Sequence, residues 1–343
     1  MIRKNIFYLL LLLALFGSCQ EMYDFRLLEE NIEFTSGKNL LKGVMAKPCQ
    51  ATKYPVVIFV HGDGAADRYQ NGYYKFIWRQ LNNNGIACMA WDKAGVGKST
   101  GNWKTQSIND RAKEVAAAIR FVKQRTAIDS SKIILWGISQ GGWVVPKAFD
   151  LAASDVRAVI LQSAAVNWLR QGKYHLKCLL KSKAYTSKQD SVCWAFYDAM
   201  TNCLKQKSYP NYQQLYNQQP DFVHNVFELM DKERWQFVVK NYQTDITNDL
   251  KKVFCPTLAL FGAEDENVDT KESVGVFTKI FKEKGNRNYR AVFFDNADHA
   301  LLNISEKGKN GTTDDVWYKL LYKGKDVFAP GFINRTIRFI NTN

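Results

Sequence analysis

The stretch from Lys132 to Trp143 constrains the fold more than any other part of the chain. Lys132-Ile133-Ile134-Leu135-Trp136 is a continuous apolar run, and it passes without a spacer into Gly137-Ile138-Ser139-Gln140-Gly141-Gly142. A short β-branched run bounded by turn residues reads as a strand buried on both faces. From Trp143 the sequence turns helical in character. In so sharp a strand-to-helix turn, a side chain at position 137 or 141 would strike the neighbouring strand or helix, which is why glycines stand there. G-x-S-x-G between a strand and a helix holds the serine in a strained conformation with its hydroxyl out of the sheet. The following amides and the helix N-terminus face the same spot.

The rest of the chain supplies partners for that strand. Val56–Val60, Gly85–Trp91, Val156–Leu161, Pro256–Phe261 and Tyr289–Phe294 read as further core strands. Asn31 to Lys47 reads as two short strands around a turn at Ser36-Gly37-Lys38-Asn39. Gly72 to Asn84 is helical. Ser107 with Asp110 signals a helix start, after which Val115, Ala118, Ile119 and Val122 line one face. This alternation predicts an α/β fold: a mostly parallel central sheet flanked by helices. With 343 residues, 46% of them hydrophobic, the chain can bury a large core; a disordered, collagen-like or polytopic membrane chain is excluded.

Residues 166–252 break the rhythm. They lack β-branched runs and are rich in Tyr, Trp, Gln and Lys, which predicts a helical insertion set into a core of residues 19–165 and 253–343. Val223, Phe227, Met230 and Val238 are expected on or near one helical stripe. Trp168, Tyr174, Tyr185, Trp194, Tyr197 and Trp235 could line a pocket, but most are expected to be the insertion's own core.

The N-terminus reads as an address. Arg3 and Lys4 precede the apolar run Ile6–Phe16, followed by Gly17, Ser18 and Cys19, the layout of a secretory signal over residues 1–18. Leu15-Phe16-Gly17-Ser18-Cys19 resembles a bacterial lipobox, so Cys19 is the expected lipid attachment site. Gln20 in place of Asp points to the outer membrane, facing the periplasm or the surface. The net charge of +14 includes Arg3 and Lys4 and is spread without a basic run of the kind that grips phosphates, so nucleic acid is not an expected partner. Seven cysteines form no C-x-x-C pair, and no metal site is expected.

A serine alcohol needs a base, and the base needs an orienting group. The chain has four histidines: His61, His175, His224 and His299. Serines on such turns are followed in the chain by an acid and then a histidine. His61 precedes Ser139, and His175 and His224 fall in the insertion. His299, just after the strand Tyr289–Phe294, is therefore the expected base rather than a structural histidine. The acid is expected after the preceding strand, in Gly262-Ala263-Glu264-Asp265-Glu266-Asn267-Val268-Asp269. Asp265 is favoured there, with Glu264, Glu266 and Asp269 as competitors. Charge building on a carbonyl oxygen needs waiting amides. Those of Gln140 and Asp63 are the candidates, the second made accessible by Gly62 and Gly64 in His61-Gly62-Asp63-Gly64. His61 is expected to brace that loop, and the Asp63 side chain to bind either Arg68 or substrate.

Together these blocks resemble the α/β-hydrolase superfamily over nearly the whole chain from Ile32 onward. His61-Gly62-Asp63-Gly64 with Asp67-Arg68 looks like the oxyanion block of bacterial envelope hydrolases of the esterase and prolyl-oligopeptidase-like type. Asp92-Lys93-Ala94-Gly95-Val96-Gly97-Lys98-Ser99-Thr100-Gly101 is similar to the family's D-x-R-G-x-G-x-S-x-G loop, with Ala94 in the arginine slot. The resemblance implies a cap domain, no cofactor, and a serine hydrolase acting on carboxylic esters through an acyl-enzyme. A peptidase, amidase or thioesterase with the same machinery is the alternative, and a non-catalytic binding lipoprotein is the alternative of another class. The expected partners are a small ester or short peptide and, through Cys19, a membrane. Gly95-Val96-Gly97-Lys98-Ser99-Thr100 also ends like a phosphate-binding loop, but Asp92 stands where its first glycine would be, and a carboxylate there repels phosphate.

Overall fold

In the computed structural model of the chain, residues 27–49, 53–306, 319 and 323–343 are described. Arg3, Lys4 and Cys19, and with them the signal and lipobox reading, lie outside these residues.

Eight strands form one sheet: β1 (Leu28–Ser36), β2 (Asn39–Lys47), β3 (Tyr54–Val60), β4 (Ala87–Trp91), β5 (Ile128–Ile138), β6 (Ala158–Gln162), β7 (Thr257–Gly262) and β8 (Tyr289–Phe294). Their order is β1-β2-β4-β3-β5-β6-β7-β8. The β1–β2 hairpin and the β2–β4 pair are antiparallel, and every other pair is parallel. The strand order reverses beside β3: the chain moves to β4 on one side, then returns to β5 on the other. In open parallel sheets that reversal opens a crevice at the carboxyl ends of the strands, where ligands bind.

The pleat explains why these strands are apolar throughout. Val56, Ile58 and Val60 of β3 face one core, with Ile133 and Leu135 of β5; Val57 and Phe59 face the other, with Ile134 and Trp136. On the first face lie α2 (Ile108–Lys123), α3 (Gly141–Leu151) and α10 (Thr270–Glu283). On the second lie α1 (Tyr73–Asn82) and α11 (Phe332–Thr342). The expected start of α2 is a capping box: Ser107 and Asp110 each bond the other's backbone N–H. Trp136 stacks on Phe59 with ring centroids 4.9 Å apart, beneath the strand ends that carry the site. Each fully buried Val, Ile or Phe in these layers contributes about 1.5–3 kcal/mol, so the strand ends stand on a stiff base.

Between β6 and β7 the chain builds a helical unit: α4 (Trp168–Lys183), α5 (Ser187–Gln206), α6 (Tyr209–Asn217), α7 (Asp221–His224), α8 (Lys232–Asn241) and α9 (Thr247–Leu250). Leu176, Leu180, Phe196, Tyr212, Trp235 and Phe237 form its own core. Ile246 and Leu250 instead pack with the sheet. One expectation fails here. Val223, Phe227, Met230 and Val238 do not share a helix: α7 ends at His224, and Asp231 caps a new helix whose first turn it bonds through Arg234 N–H. The apolar spacing outlasted the helix because Val223 and Val238 enter one core from two directions, with Phe227 and Met230 packed against it from the loop between. Among the described residues, no helix is long and apolar enough to cross a membrane.

Candidate active site

The carboxyl ends of β5, β7 and β8 carry Ser139, Asp265 and His299 in turn. Ser139 has φ 52°, a left-handed conformation that costs a serine energy and is kept only where the surroundings enforce it. The enforcement is steric. A Cβ on Gly141 would sit 2.1 Å from the Val60 carbonyl oxygen, and one on Gly137 would sit 2.5 Å from that of Gly141. The Ser139 N–H donates to the Gln162 carbonyl at 2.9 Å, and the Gly142 N–H turns back to the Ser139 carbonyl at 2.8 Å to open α3. The Gln140 N–H is therefore in the first turn of a helix, where amides lack intrahelical acceptors.

Asp265 and His299 meet directly: Nδ1 of His299 lies 2.8 Å from Oδ2 of Asp265. The acid is buried, and its Oδ1 accepts the N–H groups of Asn267 at 2.8 Å and Val268 at 2.9 Å. Oδ1 already takes two N–H groups and a carboxylate only accepts, so Nδ1 of His299 is the donor in its bond to Oδ2. The histidine side chain is 24% exposed, while that of Asp265 is fully buried. Of the competing acids, Asp269 is occupied as the N-cap of α10. The cap unit grips this loop: Tyr174 donates to the Asp265 carbonyl at 2.9 Å and His175 to that of Glu266 at 3.0 Å.

Sequence reasoning missed the residues that hold the histidine loop. Ser163, itself at φ 49°, donates its Oγ to the His299 carbonyl at 2.7 Å. Tyr73 donates to the Ala300 carbonyl at 2.6 Å and accepts from Gln162 Nε2 at 3.0 Å; Gln162 is fixed in turn by Trp136 Nε1 at 3.1 Å. Asp298 Oδ1 takes the N–H groups of Ala300 and Leu302, both at 2.9 Å. The available signal was a polar pair, Gln162-Ser163, ending an apolar strand; both are fully buried. Gln162 and Ser163 thus tie the Ser139 and His299 segments together.

His61 braces its loop. Nε2 lies 2.6 Å from the Trp91 carbonyl and must donate; Nδ1 accepts from the Tyr74 hydroxyl at 2.9 Å. Burial, with Lys93 nearby, pushes its pKa down to about 3, so it is neutral and has no lone pair to spare. A stability consequence follows. Because the folded pKa lies below the ordinary 6.5, the unfolded chain binds the extra proton between those values. Stability is then present above about pH 6.5 and is lost toward pH 3, by about 1.4 kcal/mol per pH unit. Urea unfolding across that range is expected to show a shallower slope in His61→Gln, whose amide does not titrate.

The Asp63 side chain does not pair with Arg68. Arg234 of the cap holds it, with Nη1 on Oδ1 at 3.0 Å and Nη2 on Oδ2. Arg68 instead pairs with Asp92, at 3.0 and 2.7 Å, and caps the Gly43 carbonyl at 2.9 Å. Arg68 is near in sequence, but it is the fold that brings Arg234, 171 residues away, to the loop. Burial would raise the Asp63 pKa; the Arg234 hydrogen bonds outweigh it and leave it lowered. Gln140 Nε2 also reaches Asp63 Oδ1 at 3.1 Å, and Arg111 Nη1 donates to Gln140 Oε1 at 2.7 Å.

The loop that ends like a phosphate cradle is filled by its own carboxylate. Asp92 accepts from Arg68 and from the Lys98 N–H at 3.1 Å, and a Cβ on Gly97 would lie 2.4 Å from it. Ala94, in the arginine slot, is buried in the core. Lys93 turns inward, with Nζ 2.6 Å from the Gly62 carbonyl and 2.7 Å from that of Gly64. Among the described residues, no three His, Cys, Asp or Glu side chains gather to hold a metal ion, and the cysteines at 49, 88, 178, 193, 203 and 255 are free thiols.

Comparison with known proteins places this geometry. The chain is 26% identical over 137 residues to the quorum-quenching protein AidA of Acinetobacter baumannii, a match covering 38% of this chain and 42% of that protein. The chain thus spans less than half the length of that curated relative. Among solved structures, an esterase of Pyrococcus furiosus superposes with a TM-score of 0.59 at 15% identity, covering 93% of each chain. A proline iminopeptidase of Mycobacterium smegmatis gives 0.58 at 13% identity, over 91% of this chain and 98% of that one. Est1E of Butyrivibrio proteoclasticus with ferulic acid gives 0.55 at 16%, over 91% and 96%. At these identities the likeness is one of fold. A family model described as serine aminopeptidase, S33 matches residues 52–306. With that match over most of its length, the chain belongs to this family of α/β-hydrolases.

Proposed function

We propose that the protein cleaves carboxylic esters through an acyl-enzyme on Ser139, with His299 as base and acid and Asp265 as its orienter. The observation that carries this reading is the 2.8 Å bond from His299 Nδ1 to the buried Asp265, at the carboxyl ends of the strands, where Ser139 stands in its enforced left-handed turn. His299 Nε2 takes the Ser139 proton as Oγ attacks the substrate carbonyl carbon. The carbonyl π pair moves onto oxygen, and the amides of Asp63 and Gln140 receive that oxyanion. When the tetrahedral species collapses, the C–O bond to the alcohol breaks and His299 returns the proton to it. Water, deprotonated by the same histidine, then attacks the acyl-enzyme and releases the acid and free Ser139.

Amide or peptide bonds, and thioesters, are open to the same machinery, and the family's description keeps an aminopeptidase in view. An aminopeptidase needs an anion for the substrate's free ammonium. Asp63, the carboxylate beside the proposed oxyanion amides, is engaged by Arg234, and Asp269 by the start of α10. That engagement favours a neutral acyl chain. The test is a panel of p-nitrophenyl esters set against alanine p-nitroanilide and its N-acetyl analogue. Turnover of the esters with neither anilide cleaved is expected. Cleavage of the free-amino anilide alone would move the assignment to aminopeptidase.

A further inference from the structure

We propose that Lys93 and Arg234 are positioning residues of the oxyanion hole: from opposite ends they fix the Asp63 peptide, so that seating the cap and assembling the hole are one event. The inference rests on the assignment of the Asp63 amide as an oxyanion donor.

Peptide geometry carries the first half. The N–H of Asp63 belongs to the same planar unit as the carbonyl of Gly62, and in a trans peptide the two point in opposite directions. No cis bond occurs among the described residues. Lys93 Nζ holds the Gly62 carbonyl at 2.6 Å and the Gly64 carbonyl at 2.7 Å. The peptide planes that follow Gly62 and Gly64 are thus pinned to one point beneath the loop, and the Asp63 N–H is directed away from it. Gly62 and Gly64 would otherwise leave this stretch the most permissive backbone in the site. Lys93 is only 2% exposed, and its Nζ lies 5.3 Å from the Trp103 ring centroid, so it has little room to swing elsewhere.

The side chain of Asp63 carries the second half. Arg234, on α8 of the cap, grips both carboxylate oxygens in a fork. The guanidinium is itself held 5.8 Å from the centroid of Trp103 and 5.0 Å from that of Phe237. Asp63 Oδ1 also bonds Gln140 Nε2, so the two residues whose amides are assigned to the oxyanion are joined through their side chains. Arg111, buried in α2, closes the chain by bonding Gln140 Oε1 and the His61 carbonyl. Trp103 lies beside both side chains, which places the cap's arginine and the core's lysine against one ring. None of these side chains needs to touch substrate; each acts through the direction of an amide.

The experiment compares Lys93→Met, Arg234→Gln, Arg234→Lys and the Lys93→Met/Arg234→Gln double variant in the full chain. The readouts are kcat, KM and the Ki of a trifluoromethyl ketone matched to the best ester, whose adduct places an oxyanion in the hole. Removing one oxyanion donor outright costs about 10²–10³-fold in kcat, so misdirecting one should cost about 10–100-fold with KM little changed. The ketone's Ki should rise in step, while the Ki of the product carboxylic acid stays level. Arg234→Lys should recover part of the loss, and the double variant should lose less than the product of the single losses. Arg234 is half-buried, so Arg234→Gln remains decisive if Lys93→Met fails to fold. Wild-type kcat and ketone Ki in Arg234→Gln would overturn the proposal, as would equal losses in kcat/KM and product binding. Absence of turnover in the parent protein would instead overturn the hydrolase mechanism on which it rests.

Discussion

Ser139→Ala is expected to lower kcat by about 10⁶-fold while leaving the fold intact. The loss is large because, in the proposed mechanism, the serine oxygen is the atom that bonds the acyl carbon; without it, His299 could only activate water across a gap. The residual rate is what the oxyanion amides and substrate binding supply alone. The fold survives because the elbow is built by Gly137, Gly141 and the Val60 carbonyl, and because the Ser139 N–H to Gln162 bond does not involve the side chain. Alanine, like serine, tolerates φ 52° only under constraint, and the constraint is unchanged. The check is ester turnover per mole of protein with circular dichroism of the same samples. Comparable turnover in the variant would remove Ser139 from the mechanism. A parent protein that captures ligand without turnover, as its alanine variant does, would point to the non-catalytic binding reading.

Asp265→Asn is expected to cost about 10⁴-fold in kcat with the geometry almost unchanged. The hydrogen-bond pattern dictates why. Oδ1 of Asp265 accepts two backbone N–H groups, at 2.8 and 2.9 Å. An asparagine must keep its oxygen on that side, because its NH₂ would meet two donors. The NH₂ then faces His299 Nδ1 and can only donate to it. That forces the hydrogen onto Nε2, the nitrogen that receives the serine proton in the proposed mechanism. The enzyme holds the wrong tautomer until the ring turns or the loop breaks. Kinetics beside thermal unfolding test this: an unchanged midpoint with a collapsed kcat is expected. A variant within tenfold of the parent would show that Asp265 does not set the tautomer.

Much of this could be read from the residues because each signal was local. The apolar run 132–136 into a glycine-bounded serine specifies strand, turn and helix at once, and four histidines leave few candidates for a base. Runs such as Val56–Val60 are apolar at every position because both faces of the sheet are covered, which the sequence displays directly. What escaped reading depends on long-range meetings. Nothing near Asp63 points to Arg234, and nothing in Lys93 says that it turns under the oxyanion loop instead of toward solvent. Ser163 and Tyr73 act through backbone carbonyls at 299 and 300, which any polar side chain could reach if the fold placed it there. The stripe through Phe227 and Met230 misled for a related reason: apolar spacing records burial, and a loop packed against a core is buried as well as a helix. Trp168, Tyr185, Trp194, Tyr197 and Trp235 followed the same rule and belong to or pack on the cap's core, whereas Tyr174 reaches out to brace the acid loop.

The central claim is that Ser139 is a nucleophile activated by His299. It is tested most directly by treating the protein with a fluorophosphonate and weighing its Ser139-containing peptide by mass spectrometry. One phosphonyl group per chain, on Ser139, absent in His299→Ala and slowed in Asp265→Asn, is the expected result. An unlabelled Ser139 in protein that still hydrolyses esters, or equal labelling with and without His299, would contradict it.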